Sequence, residues 1–335
     1  MGTGPGEPHP GEGGSLERPL WSFEGRPREL DVLGLGENSL DRLVGVRDWP
    51  VAGGKQAALD SSTAAGGQVA SALLGCARLG LRAGYIGAVG ADPEAEAVLA
   101  PLRAAGVDLT GVQSVPGAST RSALILVRAG DGERSVLARR DPALKIDPHR
   151  LDRRRVEGAG LLHLDASDPD ASLWAASVAV EADRPVMLDA DEPGEGLEKL
   201  LSRIHFPVVS EAFAREWGGT GEVRDGLKRL AQGVCRLAVA TCGGGGARAI
   251  SAQGEIHSPA WRVDVRDTTG AGDAFHAGLI WGILQGRGEH RALAAANGVA
   301  GLACTAGGAQ AGLPTSGELE ALLGQGARIS SGGPG

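Results

Sequence analysis

The sequence has no cysteine pair at a spacing that binds metal or marks a disulfide framework. Its four cysteines, Cys76, Cys235, Cys242 and Cys304, form no CxxC or Cys/His arrangement. Free thiols in a reducing compartment follow. Basic stripes are equally scarce. Lys and Arg number 33 against 41 Asp and Glu, a formal charge of −8, which argues against a general nucleic-acid or anionic-membrane surface. Any phosphate handled here must be held locally. No apolar run reaches the ~18 residues of a membrane span. The N-terminal MGTGPGEPHPGEGGSLERPL lacks the basic and apolar blocks of a secretory signal, so a cytoplasmic protein is expected. No GxxxxGKS/T occurs, which removes the P-loop kinases. GLGENS is only a GxGxxS that runs into a strand-like stretch, which speaks against a dinucleotide fold. The six tryptophans sit apart rather than in a stacking stripe, the seven histidines have no metal spacing, and there is no internal repeat.

What is present is enough for a large core: 335 residues, 42% of them hydrophobic. Residues 1–28 are rich in Gly, Pro and Glu without periodicity and read as a disordered tail, as do residues 326–335. Between them, apolar strands at 31–36, 83–89, 160–165, 185–190, 207–210 and 236–241 alternate with amphipathic helical stretches such as 94–104, 171–182 and 222–232. This rhythm predicts an α/β fold with a mostly parallel sheet covered by helices on both faces. Two segments, about 40–59 and 119–140, alternate like half-exposed antiparallel strands, with DGER as a hairpin turn. They predict a small sheet that closes over a ligand as a lid.

The strongest chemical signal is DTTGAGDAFHAGLIWGIL, which begins at Asp267. A glycine-rich turn opens directly into an apolar helix, so the backbone N–H groups of Gly270, Ala271 and Gly272 and the helix dipole converge on one spot suited to an anion. Asp273 stands at its mouth. A carboxylate there would repel phosphate unless a hydroxyl lay between them, whose proton it would accept as the oxygen attacks phosphorus. A simple helix cap is the plain alternative.

DTTGAGDAF resembles the C-terminal signature, D-T-x-G-A-G-D, of the ribokinase-like (PfkB) carbohydrate kinases, and the resemblance runs over roughly residues 30–320. It implies a three-layer α/β kinase domain over 29–325 that binds ATP and Mg²⁺ and phosphorylates a hydroxyl of a ketose, pentose or sugar acid. Asp273 would be the base and Gly270–Gly272 the anion hole. GLGENSLD then puts Asp41 on sugar hydroxyls. AAGGQVASALLGCARLG puts Gly66 and Gly67 against the sugar, with Ser71 where relatives carry a substrate-binding Asn. HLD offers Asp165 as a further sugar contact, or as an exposed loop acid. TCGGGG implies Thr241, Gly243 and Gly246 near ATP. Asn297 either borders the adenine or is a polar residue on a buried helix that is satisfied locally. Asp267 and Thr269, with carbonyls of 303–309, would hold a monovalent cation such as K⁺. The family's N-x-x-E is replaced by Ser210-Glu211-Ala212-Phe213, a departure shared with ketohexokinase-like members, and leaves Glu211 as the residue associated with Mg²⁺. Arg121 and Arg134, on the lid, either meet an anionic group of the substrate, as in a sulfofructose kinase-like enzyme, or sit on a solvated face. His163 and His276 read as packing or capping residues. Flap-mediated homodimers, a catalytically inactive binding protein and a nucleoside kinase complete the range of expectations.

Overall fold

The computed structural model describes residues 17–130, 133–194 and 196–325. In chain order its elements are β1 (Leu30–Leu35), β2 (Ser39–Val46), β3 (Asp60–Gly66), α1 (Gln68–Arg78), β4 (Ala83–Ile86), β5 (Ala88–Gly90), α2 (Pro93–Ala104), β6 (Gln113–Val115), β7 (Ser122–Arg128), β8 (Arg134–Arg139), α3 (Arg153–Glu157), β9 (Ala159–Asp165), α4 (Pro169–Glu181), β10 (Val186–Ala190), α5 (Leu197–Leu201), β11 (Phe206–Ser210), α6 (Glu211–Gly218), α7 (Val223–Leu230), β12 (Leu237–Thr241), β13 (Ala247–Ser251), β14 (Gly254–Ser258), α8 (Ala271–Leu284), α9 (Glu289–Ala303) and α10 (Ser316–Gly324).

Eight strands form the main sheet in the order β14-β13-β12-β11-β10-β9-β1-β4. Its strands from β4 to β12 are parallel, because they are short, largely apolar on both faces and joined to one another by connections that contain helices. Alternate side chains feed two cores. Val32, Leu161, Met187, Val208 and Val239 face α1, α8 and α9, whereas Leu33, Leu162, Leu188, Val209 and Ala240 face α4 to α7. Helices thus cover both faces, and the three-layer α/β prediction holds.

Three expectations need correction. AGYIGAV is two strands rather than one: β4 joins the main sheet and β5 pairs with β6 in a separate two-stranded sheet. The main sheet ends in an antiparallel hairpin, β13 and β14, which has polar residues at alternate positions and escaped the search for apolar runs. Residues 17–28 are not a loose tail. Trp21 is buried edge-on against His205, ring centroids 4.8 Å apart, and Arg184 fixes the strap through the Pro27 carbonyl at 3.0 Å. The tail expectations for 1–16 and 326–335 lie outside the described residues.

The lid is a four-stranded sheet, β3-β2-β7-β8. It uses 39–46 and 60–66 rather than 40–59, since 47–59 forms no strand and β3 (DSSTAAG) is too polar to announce itself. β7 and β8 pair antiparallel as expected; Asp131 and Gly132 of the DGER turn lie outside the described residues.

Helix α8 explains why the catalytic-looking turn runs into an apolar stretch. It lies inside the core, with every residue from Ala274 to Leu284 buried. Its small residues permit close packing on two sides. A Cβ on Gly278 would sit 2.7 Å from the Ala296 Cα of α9, and one on Gly75 of α1 would sit 2.7 Å from the Ala277 Cβ. Overpacking at such a contact costs about 1–3 kcal/mol.

Candidate active site

A cavity of about 630 Å³ opens where the carboxyl ends of β10, β11 and β12 meet the start of α8, with the lid strands β2, β7 and β8 across from them. This is the position at which parallel α/β sheets collect ligands, and the volume suits a small molecule.

The turn at 268–272 forms one wall. The expectation of three convergent N–H groups is modified: the Ala271 N–H donates to the Thr268 carbonyl at 3.2 Å, while those of Gly270 and Gly272 meet no acceptor among the described residues. The two glycines also serve different ends. Gly270 has φ +75° and a Cβ there would lie 2.6 Å from the Ala309 Cβ, so glycine is needed to form the turn against its neighbour. Nothing lies within 4 Å of where a Gly272 Cβ would be. Its bare Cα leaves that space to the cavity.

Asp273 follows in the first turn of α8 and lines the same cavity. Burial pushes its carboxyl well above the ordinary range, with Asp191 and then Asp41 adding like charge, while Ser71 and Arg134 oppose the shift. The Ser71 hydroxyl is buried and meets no partner at standard hydrogen-bond geometry, yet lies close enough to Asp273 to favour its charged form. Ser71 is therefore a support beneath Asp273 and does not line the cavity, contrary to the expected substrate contact.

At the lid end, Asp41 projects from β2 into the cavity and accepts the Ser39 hydroxyl at 2.6 Å. Burial raises its carboxyl pKa, and the Ser39 hydrogen bond counters this. Gly66 is required because a Cβ would collide with the Asp41 carboxylate; it makes room for Asp41 rather than lining the cavity itself. Gly67 does line it, with φ +98° and a hypothetical Cβ 2.5 Å from the Asn38 Cα. Arg121 points inward, buried, and pairs with Glu37, so the solvated-face alternative fails for it. Burial, then the nearby Arg140, lowers its pKa.

Asp165 is neither an exposed acid nor a cavity residue. It is buried, and its carboxylate accepts the N–H groups of Glu37 at 2.7 Å and Ser167 at 2.9 Å. It holds the loop that carries Glu37 in place. The expected sugar contact is corrected accordingly.

At the other end, Thr241 reaches the cavity from β12. Gly243 (φ +52°) and Gly246 (φ +83°) shape the turn after it, where a Cβ on Gly246 would strike the Ser258 carbonyl; neither glycine lines the cavity. Asn297 donates to the Ser258 carbonyl at 2.9 Å and hydroxyl at 3.0 Å, which ties α9 to the end of β14; it does not line the cavity. Asp267 ties two segments together, accepting the Thr269 N–H at 2.8 Å and the Gly308 N–H at 2.7 Å. Burial works against its charge, but these bonds more than offset it and lower its pKa. Glu211 pairs with Arg215 at 2.6 Å along α6 and stays out of the cavity, so its association with Mg²⁺ is not reproduced. Among the described residues, no three His, Cys, Asp or Glu side chains gather as a metal site.

Sequence reasoning missed Asp189 and Asp191, which line the cavity at the end of β10. The signal was there, since LDAD places acids at a strand end as HLD does. Burial raises the Asp189 carboxyl well above its usual range, followed by the charges of Asp191 and Asp273. Asp191 accepts Gln68 at 2.7 Å. His276, one turn along α8 from Asp273, also lines the cavity; its Nδ1 donates to the Gly272 carbonyl at 2.9 Å and lies 3.5 Å from Asp189. Burial pushes it down to about 4, so it is a neutral brace for the turn. His163 packs beside it, ring centroids 5.2 Å apart.

The description "pfkB family carbohydrate kinase" matches residues 32–316. An ATP-dependent ribose-1-phosphate kinase from Halopiger xanaduensis is 31% identical over 87% of this chain and 97% of its own length. An aminoimidazole riboside kinase from Salmonella typhimurium is 30% identical over 77% of this chain and 87% of its own. The structure of an Arabidopsis thaliana ribokinase complexed with ribose and ATP superposes with a TM-score of 0.77 over 88% of this chain and 98% of that one, at 23% identity, and so supports the fold. No helix among the described residues is long and apolar enough to cross a membrane. The chain belongs to the pfkB family of carbohydrate kinases.

Proposed function

We propose that this kinase moves the γ-phosphoryl group of ATP to a hydroxyl of a small carbohydrate, with Asp273 as general base and the turn at 270–272 as the anion hole. The observation that carries this is the convergence, in one cavity, of the Asp273 carboxylate, the unpaired N–H groups of Gly270 and Gly272, and Asp41 on the lid side. The acceptor hydroxyl lies between Asp273 and the turn, where Asp273 takes its proton as the new O–P bond forms. Asp41 accepts hydrogen bonds from other hydroxyls of the sugar, and the sugar backs onto Gly67. Thr241 borders the nucleotide.

Mg²⁺ would accompany ATP and neutralise charge on its phosphates, with the carboxylates of Asp189 and Asp191 the acids at the end of β10 that line the cavity. A monovalent cation at Asp267 would have to share a carboxylate already bound by two N–H groups. On the lid's outer face Leu124 and Leu137 are exposed cross-strand neighbours, which favours a homodimer through the lid.

The relatives named above act on sugars with a substituent at the anomeric carbon, a phosphate in one and a base in the other. Such acceptors therefore belong beside free sugars in the test. ADP release is measured with pentoses, ketohexoses, sugar acids, sulfofructose, pentose 1-phosphates and nucleosides, each with and without K⁺. Saturable, acceptor-dependent ADP release supports the reading. ATP binding with no release for any acceptor would favour the inactive binding protein.

A further inference from the structure

Lid strand β8 turns alternate side chains toward the cavity: Arg134, Val136, Ala138 and, just past its end, Arg140. With Arg121 these arginines supply the cationic side chains among the described lining residues, against the carboxylates of Glu37, Asp41, Asp189, Asp191 and Asp273. Two of the three guanidiniums are committed. Arg121 pairs with Glu37, and Arg140 pairs with Asp168 at 2.8 Å and also donates to the Ser167 carbonyl.

Arg134 differs. Its guanidinium forms no hydrogen bond or ion pair with a described residue, although it lines the cavity from β8. Its charge nevertheless acts on Asp191, Asp267 and Asp273, the acids on both sides of that turn. An arginine whose guanidinium has no partner among the described residues therefore shares the cavity with the turn where phosphate charge would develop.

Phosphoryl transfer spreads charge over three equatorial oxygens, and N–H groups on one side leave the opposite side uncompensated. A planar guanidinium fits two such oxygens at once, as an ammonium does not. We propose that Arg134 is a catalytic residue, bonding the equatorial oxygens of the phosphoryl group in flight across from the N–H groups of Gly270 and Gly272. The proposal rests on the kinase reading of Asp273. In the step, the acceptor oxygen bonds to the γ-phosphorus and the bond from that phosphorus to the β,γ-bridging oxygen breaks. The electron pair leaves with ADP, the hydroxyl proton passes to Asp273, and Arg134 keeps its proton throughout.

The test compares wild type with Arg134→Gln, Arg134→Lys and Arg134→Ala. Binding of ADP alone and of ADP with aluminium fluoride, a mimic of the planar phosphoryl group, is measured by calorimetry; kcat and KM are measured on the best acceptor. The expected result is a loss of kcat of about 10²-fold or more, shared by the Lys variant. ADP affinity should stay within about threefold, and the extra affinity given by aluminium fluoride should disappear. Millimolar guanidinium should restore part of the Ala variant's turnover. Thermal melting identifies any variant that fails to fold, and the Gln variant then carries the comparison.

Unchanged kcat together with unchanged aluminium fluoride binding would overturn the proposal. So would a loss confined to acceptor KM, which would assign Arg134 to an anionic group on the sugar. The aluminium fluoride arm needs no acceptor, so it judges Arg134 separately from the kinase reading, which fails if wild type turns over nothing.

Discussion

The two walls of the cavity are built in opposite ways. The turn at 268–273 starts a helix whose remaining residues are buried, braced by α1 and α9 and by His276 bonded back to the Gly272 carbonyl. The facing lid has a strand, β8, exposed along its whole length, and its apolar Val136 and Leu137 stand in solvent on opposite faces. In the proposed function the base and the anion hole sit on the rigid wall, where reacting groups keep their positions without ordering costs. In the proposed function the lid wall, with few packing constraints, carries Asp41 toward the acceptor and Arg134 toward the transferring phosphoryl group.

The contrast is broken most severely by filling the space beside Gly272. Gly272→Val should lower kcat/KM for ATP by about 10³-fold with thermal stability kept, since its Cβ meets open cavity. Gly270→Ala should instead destabilise the fold by about 1–3 kcal/mol through its positive φ and the Ala309 contact, which denaturant titration reads. Equal effects of the two substitutions would contradict the division of labour between them.

On the lid wall, Asp41→Ala should raise acceptor KM by about 10- to 100-fold, the worth of a lost charge-assisted hydrogen bond, with little change in the melting temperature. Smaller still is a shift in pH dependence. Asp191 adds like charge to Asp273, whose carboxyl burial already raises, with Asp41 acting in the same sense and Ser71 and Arg134 against it. Asp191→Asn removes that repulsion and lowers the Asp273 pKa. A base must be ionised, so the acid limb of kcat/KM should move to lower pH. The smallest effect belongs to Leu137→Ser on the outer lid face, where the unfolding free energy at low protein concentration should change by no more than about 0.5 kcal/mol. Sedimentation at higher concentration would show whether a lid-mediated dimer is lost.

The same contrast governs what could be read without coordinates. The parallel strands and α8 are mostly apolar, and the DTTGAGD turn pairs special residues with a helix start, so both stand out in the sequence. β3, β13 and β14 are exposed or polar at alternate positions and carry little periodic signal. Site residues failed for a different reason. Asp165, Ser71 and Asn297 lie next to the right places in the chain, but tertiary contacts decide their role: hydrogen bonds tie Asp165 to the Glu37 loop and Asn297 to the end of β14, while Ser71 sits beside Asp273. Asp189 and Asp191 join the cavity through the register of β10 beside β9, which strand spacing alone does not reveal. Trp21 was hidden by the Gly- and Pro-rich segment before it, whose composition masked one aromatic anchor.

The central claim rests on one carboxylate. Single-turnover transfer by Asp273→Asn, with ATP and the acceptor both saturating, tests it directly alongside acceptor binding measured by calorimetry. The account predicts transfer slowed by about 10²- to 10⁴-fold, with acceptor Kd within a few fold of wild type. Transfer at close to the wild-type rate would contradict it and remove Asp273 from the role of base.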